Sequence, residues 1–302
     1  MKHRPGEGVP GGDSLGHANG FPLSEFQGAV RGVMGLEGRG EPCSPAAIVG
    51  WLRDGGRPLV ALSGGVDSAV TAVLAHDAWG ERALAATLIG PAVSARETER
   101  ARDVARSIGI ELVELSVDPL PVEGYRSNPS NRCYFCRSTE TAVLRAWGDP
   151  RGIGRYLDGV HLDDLGDDRP GLAAMAEAGF EHPLVWAGWR KSMIREYARL
   201  RGLPNWDEPS DACLASRIRH GQPVTAEELR RIDRAETFLA GMGFRRVRVR
   251  VEGAEARIEV DPPEVPRLQS TVVARAASEH LIGLGFRTVV IDPNGYRPRP
   301  GA

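Results

Sequence analysis

The chain has 302 residues, a formal net charge of −2 and 41% apolar residues. That length suits two domains, or one large domain with appendages. The near-neutral charge excludes the global basic footprint of a nucleic-acid-binding protein, and without a long apolar run or a signal-peptide core the expectation is a cytoplasmic protein with neither membrane nor nucleic acid as partner.

Residues 1–22 are rich in Gly, Pro and His and lack apolar periodicity, the composition of a disordered tail. Helices are expected over Leu23–Leu36 and Pro45–Leu52, then a first strand at Leu59–Leu62. Val66, Ala69, Val70, Val73 and Leu74 recur at helical spacing, so a helix begins near Val66 and runs to Trp79. Strands at Ala83–Ile89, Glu111–Ser116 and Arg155–Asp158 alternate with helices at Ser94–Ile108 and Tyr134–Trp147. This alternation predicts an α/β fold, a doubly wound parallel sheet whose ligands bind beyond the carboxyl ends of the strands. A helix over Ser192–Arg201 is ended by Gly202-Leu203-Pro204, and Asn205–Gln222 reads as a loop. Thr225 is an expected N-cap for a helix reaching about Met242. Val247–Val251 alternates as a half-buried strand does, and Ala256–Val260 follows it across a Gly253 turn. Pro263–Leu284 reads as mostly helical and Thr288–Ile291 as a last strand. The expected division is residues 23–223, a nucleotide-binding domain with N-terminal helices, and residues 224–302, a smaller α+β domain for substrate binding or oligomerisation.

Ser63-Gly64-Gly65-Val66-Asp67-Ser68 joins the first strand to its helix. Glycines let a ligand approach the backbone, and a helix N-terminus offers unpaired N–H groups to an anion. Ser63 and Ser68 add hydroxyl donors. Asp67 would repel a phosphate unless a cation lay between them, so Mg2+ is expected. The lysine of a Gly-x-x-x-x-Gly-Lys loop is missing here. Only Lys2 and Lys191 occur in the chain, and Lys191, at a helix start, is a candidate phosphate contact or a solvated residue. The polar loop Gly159–Gly171 follows the fourth strand, and its carboxylates, Asp164 among them, could hold Mg2+ or a ribose. Cys133-Tyr-Phe-Cys136 could be a redox pair, half a zinc site or part of an iron–sulfur site. Cys213, about eighty positions on, could complete a three-thiolate set that leaves one metal position open. Cys43 is treated as incidental. Arg217, four residues beyond Cys213, could lower the thiol pKa or hold a phosphate. Arg248 and Arg250 share one strand face and Arg257 lies on the paired strand, which suits a ligand phosphate or a solvated basic face.

The Ser63–Ser68 segment resembles the SGGxDS motif of the PP-loop ATP pyrophosphatases, which split ATP between its α and β phosphates. Taken with Asn131-Arg-Cys133-Tyr-Phe-Cys136, Asp163-Asp164-Leu-Gly-Asp-Asp-Arg169-Pro170-Gly171, Pro204-Asn-Trp206 and Ala212-Cys213-Leu-Ala-Ser216-Arg217, the chain resembles the LarE family of ATP-dependent sacrificial sulfur transferases. Val247-Arg-Val-Arg250, Ala256-Arg-Ile-Glu259 and Gly295-Tyr296-Arg297 also fit, and the match runs from about Leu23 to Tyr296. The resemblance implies a PP-loop fold and a reaction with pyridinium-3,5-biscarboxylic acid mononucleotide, a nicotinate-derived mononucleotide. Its carboxylates would be adenylated and converted to thiocarboxylates, the precursor of the nickel-pincer nucleotide of lactate racemase. It places ATP at Ser63, Gly64, Gly65, Asp67, Ser68 and Asp164, catalysis at Cys213, Asp67, Ser216 and Arg217, and the substrate phosphate at Arg217, Arg248, Arg250 and Arg257. Members with the added C-x-x-C resemble cluster enzymes, which implies a [4Fe-4S] centre on Cys133, Cys136 and Cys213 and a protein that is not consumed. Homo-oligomers, often hexamers, are implied as well. The rival readings are a cluster-dependent tRNA thiolase and an amidating ligase of the same fold.

Overall fold

Pro58–Ala61 (β1) is the strand from which the larger sheet grows in both directions. A computed structural model describes residues 42–166, 170–209 and 211–297. The expected tail and the expected helix over Leu23–Leu36 lie outside them, as do Asp167, Asp168 and Arg169. Pro45–Arg53 (α1) starts on a Ser44 cap with Pro45 in its first turn and leads into β1. Val66–Trp79 (α2), Leu84–Ile89 (β2), Ala95–Ile108 (α3) and Glu111–Ser116 (β3) follow. The chain then crosses back through Arg132–Gly148 (α4) to Arg155–Leu157 (β4), and on through Pro170–Glu177 (α5) to Phe180–Glu181 (β5). The order is β3-β2-β1-β4-β5, every pair parallel, with Leu59 opposite both Leu84 and Tyr156. The fold class is the expected one.

This order fixes the ligand crevice. Strand order reverses between β1 and β4, so the loops leaving their carboxyl ends diverge and leave an open groove. Those loops are residues 62–65 and 158–164. Helix α2 sits at the centre of the main core: Val66 and every residue from Ser68 to Ala75 are buried. Lys191–Leu200 (α6) packs beside it.

The smaller sheet holds Val247–Glu252 (β6), Glu255–Val260 (β7) and Thr288–Ile291 (β8), flanked by Ala226–Gly241 (α7) and Thr271–Gly283 (α8). β6 and β7 are antiparallel, which puts Arg250 opposite Arg257, and β8 is parallel to β7. Its core of Val249, Ile258, Leu229 and Phe244 also takes in Tyr125 and Cys136, from before and within α4, and Leu214 and Ala215 beside Cys213. The two sheets are thus joined by packing at the cysteines.

The stretch expected to be mostly helical over Pro263–Leu284 is interrupted. A turn at Pro262–Glu264 and a short helix at Val265–Leu268 precede α8, which restarts after Ser270 in an extended conformation. Pro262, Pro263 and Pro266 offer no N–H to a continuous ladder. Elements α5 and β5 carried no periodic signal; β5 is two residues long and exists because Phe180 packs on Tyr156 at the sheet edge.

Candidate active site

The phosphate-loop candidate is held shut by its own hydroxyls. Ser63 N donates to Ser68 Oγ at 3.2 Å, Ser68 Oγ to Gly65 O at 3.1 Å, and Gly65 N to Ser63 Oγ at 3.3 Å. Gly64 has φ of 81°, and a Cβ there would lie 2.8 Å from Ala101 N and Glu97 O of α3. Only glycine allows this approach. Asn205 Nδ2 donates to Gly64 O at 2.8 Å from across the crevice. Gly65 is the N-cap of α2, so the positive end of a 14-residue helix opens into the groove.

Asp67, in the first turn of α2, accepts from Lys191 Nζ at 2.7 and 2.6 Å. Lys191 is therefore at the loop, where the sequence made it one of two alternatives. The loop after β4 closes the other wall. Gly159 abuts the phosphate loop so closely that a Cβ would sit 2.4 Å from Ser68 N. Asp164 Oδ2 accepts from His161 N at 3.0 Å, and His161 Nε2 lies 3.7 Å from Asp67 and 3.5 Å from Asp164. Asp163 accepts from Lys191 N and Arg190; the Lys191 backbone N–H, helped by Arg190 and opposed by burial, holds its carboxyl below the usual range. The groove runs from Ser63–Asp67 past Arg100 to Asp211.

Asp211 is the hinge between this groove and Cys213. Arg100 donates to it at 2.9 Å, Arg248 lies 3.0 Å away and Arg217 donates at 3.2 Å. Against the burial that would raise it, Arg248, Arg217 and Arg100 hold the Asp211 carboxyl at about 2. Two residues on, Cys213 begins the turn Leu214–Arg217, anchored by Leu214 N donating to Ala92 O at 3.0 Å. Arg217 is buried. Its guanidinium spans Glu236 at 2.8 and 2.9 Å, the carbonyls of Ala212 and Cys213, and Ser216 Oγ at 3.0 Å. Each of its nitrogens is engaged, so the geometry makes it the strut of the Cys213 turn. Arg250 donates to Ser216 O at 3.1 Å and to Glu259 at 3.1 Å. Arg257 is apart from this group, half-exposed and paired with Glu255 and Asp292.

The three cysteines of the expected set are neighbours that feel one another electrostatically but do not stand at metal-binding spacing. Cys133 and Cys136 lie in the first turns of α4, Cys133 exposed and Cys136 buried with its thiol donating to Glu140 Oε1 at 3.3 Å. Burial pushes the Cys213 thiol up, opposed by Arg132 and raised further by Cys133. Burial likewise pushes Cys136 up, with Glu140 and Cys213 adding to it. Among the described residues, no set of three or more Cys, His, Asp or Glu side chains stands at metal-binding spacing. Cys43 packs against the main core, its carbonyl accepting from Trp189 Nε1 at 2.8 Å.

Asp211, Arg100, Asn205, Glu236 and Arg132 were not singled out in the sequence. Arg132 and Asn205 sit inside segments that were quoted, Asn-Arg-Cys and Pro-Asn-Trp. The others meet across the fold, Glu236 with Arg217 19 residues apart and Arg100 with Asp211 111 residues apart, which no local pattern records.

Residues 56–132 match the family profile described as NAD synthase. The uncharacterized protein slr1717 of Synechocystis sp. is 38% identical over 80% of this chain and 90% of its own length. The pyridinium-3,5-bisthiocarboxylic acid mononucleotide synthase of Lactiplantibacillus plantarum is 30% identical over 83% of this chain and 91% of its own. The chain belongs to the LarE family. It is an enzyme, a synthase of the ATP-using sulfurtransferase class to which the sequence motifs pointed. The uncharacterized protein MJ0830 of Methanocaldococcus jannaschii is 26% identical over 79% of this chain and 90% of its own length.

Proposed function

We propose that this chain adenylates the carboxylates of pyridinium-3,5-biscarboxylic acid mononucleotide with ATP and converts them to thiocarboxylates, the step that leads to the nickel-pincer nucleotide. The observation that carries this reading is the groove from Ser63–Asp67 past Arg100 to Asp211, whose carboxylate is bonded to Arg217 of the Cys213 turn. A carboxylate resists thiolation because oxide is a poor leaving group. Attack of the carboxylate oxygen on the α-phosphorus releases pyrophosphate, and attack of a sulfur nucleophile on the acyl carbon then expels AMP.

The chain's own residues divide this work. The α2 N-terminus, Ser63 and Ser68 stabilise charge on the departing pyrophosphate. Lys191 Nζ, held at Asp67, lies on the same wall and neutralises a phosphate oxygen. Asp67 and Asp164 would hold Mg2+, which would screen the phosphates from those carboxylates. Arg250, bonded to Ser216 O, and Arg248, paired with Asp211, would take the substrate phosphate, Arg257 supporting from the outer edge, while Arg217 acts by holding the Cys213 carbonyl. Ser216, whose hydroxyl Arg217 fixes, lies three residues from the sulfur.

The donor set suits a sulfur-bound metal centre: three thiols on two elements, with the buried hydroxyl of Tyr125 and Nε of Arg132 lacking partners beside them. Cys133, Cys136 and Cys213 would hold a [4Fe-4S] centre, which would supply the transferred sulfur and leave the protein intact. A ligating thiol is deprotonated outright, which overcomes the burial that raises Cys136 and Cys213. We also place the protein in the cytoplasm, as a homo-oligomer that can be hexameric, with residues 224–302 as its substrate and assembly domain.

The test is pyrophosphate release. It should require the dicarboxylate mononucleotide and give a thiocarboxylate product that Cys213→Ala abolishes. Pyrophosphate release that depends on tRNA, or on ammonia with an amide as product, would refute the proposal.

A further inference from the structure

Asp158 and His182 are both buried, and the proposed reaction uses neither. His182 Nδ1 lies 2.8 Å from Asp158 Oδ1. An ionised carboxylate only accepts, so Nδ1 carries the proton and donates. Asp158 Oδ1 also accepts from Val160 N at 3.0 Å, while Oδ2 is buried without a partner. His182 is thus the one side chain bonded to this carboxylate among the described residues. Without it a buried charge would be left to a single backbone N–H, which is costly. The pair joins two segments that flank the crevice. The first, residues 158–164, leaves β4 and carries Asp164 and Gly159, which has no room for a Cβ beside Ser68. The second, residues 182–191, leaves β5 and ends at Lys191, whose Nζ meets Asp67. At their far ends they are bonded again: Leu162 N donates to Trp189 O at 3.1 Å and Lys191 N to Asp163 Oδ2 at 2.9 Å. Asp158 O accepts from Thr71 Oγ1 at 3.0 Å, which fastens the same point to α2 three residues beyond Ser68.

We propose that Asp158 and His182 are positioning residues of the nucleotide site. They act through Gly159 and Lys191: their bond fixes the two segments against each other and against α2, so the wall of the groove and its lysine stand in place before ATP arrives. A site held in its bound geometry loses less on binding than one that must be ordered. This rests on Ser63–Asp67 being where ATP binds, as read above, and is independent of how sulfur is delivered.

The test is the affinity of the full chain for ATP with Mg2+, measured by titration calorimetry with no acceptor present. His182→Leu removes the donor and should weaken ATP binding by about tenfold, the loss of one hydrogen bond to a charged group. His182→Asn, whose amide nitrogen replaces Nδ1, should restore most of that affinity. Phe180→Leu loosens the same sheet edge at its contact with Tyr156 but leaves the pair intact, and should bind as the wild type does. Equal affinity in the wild type and His182→Leu would overturn the proposal. So would equal weakening in His182→Leu, His182→Asn and Phe180→Leu, the mark of a merely structural role. If His182→Leu does not fold, Thr71→Val decides instead. Loss of its bond to Asp158 O should weaken ATP by about fivefold, and an unchanged affinity would overturn the proposal. A wild type that binds no ATP would refute the nucleotide site itself, whereas a binding wild type with unchanged variants refutes the pair alone, so the two readings fail separately.

Discussion

Asp211 has one carboxylate and three arginines, and that imbalance organises the site. With its carboxyl at about 2, against an ordinary value of 3.8, Asp211 stabilises the folded state wherever it is ionised. The contribution is complete above about pH 4 and is lost as pH falls toward 2, and it is worth about 2 kcal/mol. Asp211→Asn should lack this part of the acid sensitivity. Urea unfolding at pH 5 and pH 2.5 should show the wild type losing about 2 kcal/mol more than the variant; parallel losses in the two proteins would count against the assignment. At this scale the sequence was legible for residue type and silent on partners. Cys213, Cys136 and Lys191 could be chosen because their types are chemically loaded. That Arg217 would be consumed by Glu236 and Asp211, and that Arg132 would stand without a carboxylate, depends on contacts made only in the fold.

Elements were more legible than residues. β1, α2, β2, α3 and β3 have strong apolar periodicity, and their expected positions match the structure to within about two residues. β5 escaped because two residues hold no period, whereas 263–284 is mostly helical as expected, with a break at 269–270 before α8. The loops after β1 and β4 touch through Gly159, which no pattern announces. Gly159→Ala would drive a Cβ against the Ser68 backbone. Overpacking of this kind should cost about 1–3 kcal/mol of stability. Its clearer mark is a raised KM for ATP in pyrophosphate release, since the loop must part from its wall. An unchanged KM would mean that this wall does not shape the nucleotide site.

At the scale of the molecule, two sheets meet at a cysteine cluster. The core of the smaller sheet takes in Tyr125, Cys136 and Leu214, so the C-x-x-C helix and the Cys213 turn are held by packing that neither sheet provides alone. The groove runs from the phosphate loop past Arg100 to Asp211, which is bonded to Arg217 of the Cys213 turn. In the proposed reaction a carboxylate is activated at one end of this arrangement and sulfur is delivered at the other. The most direct test is the intact mass of the anaerobically reconstituted protein after incubation with ATP, the dicarboxylate mononucleotide and sulfide. The account predicts more than one thiocarboxylate per chain and an unchanged protein mass. Loss of the elements of hydrogen sulfide from Cys213, with one sulfur transferred per chain, would contradict it.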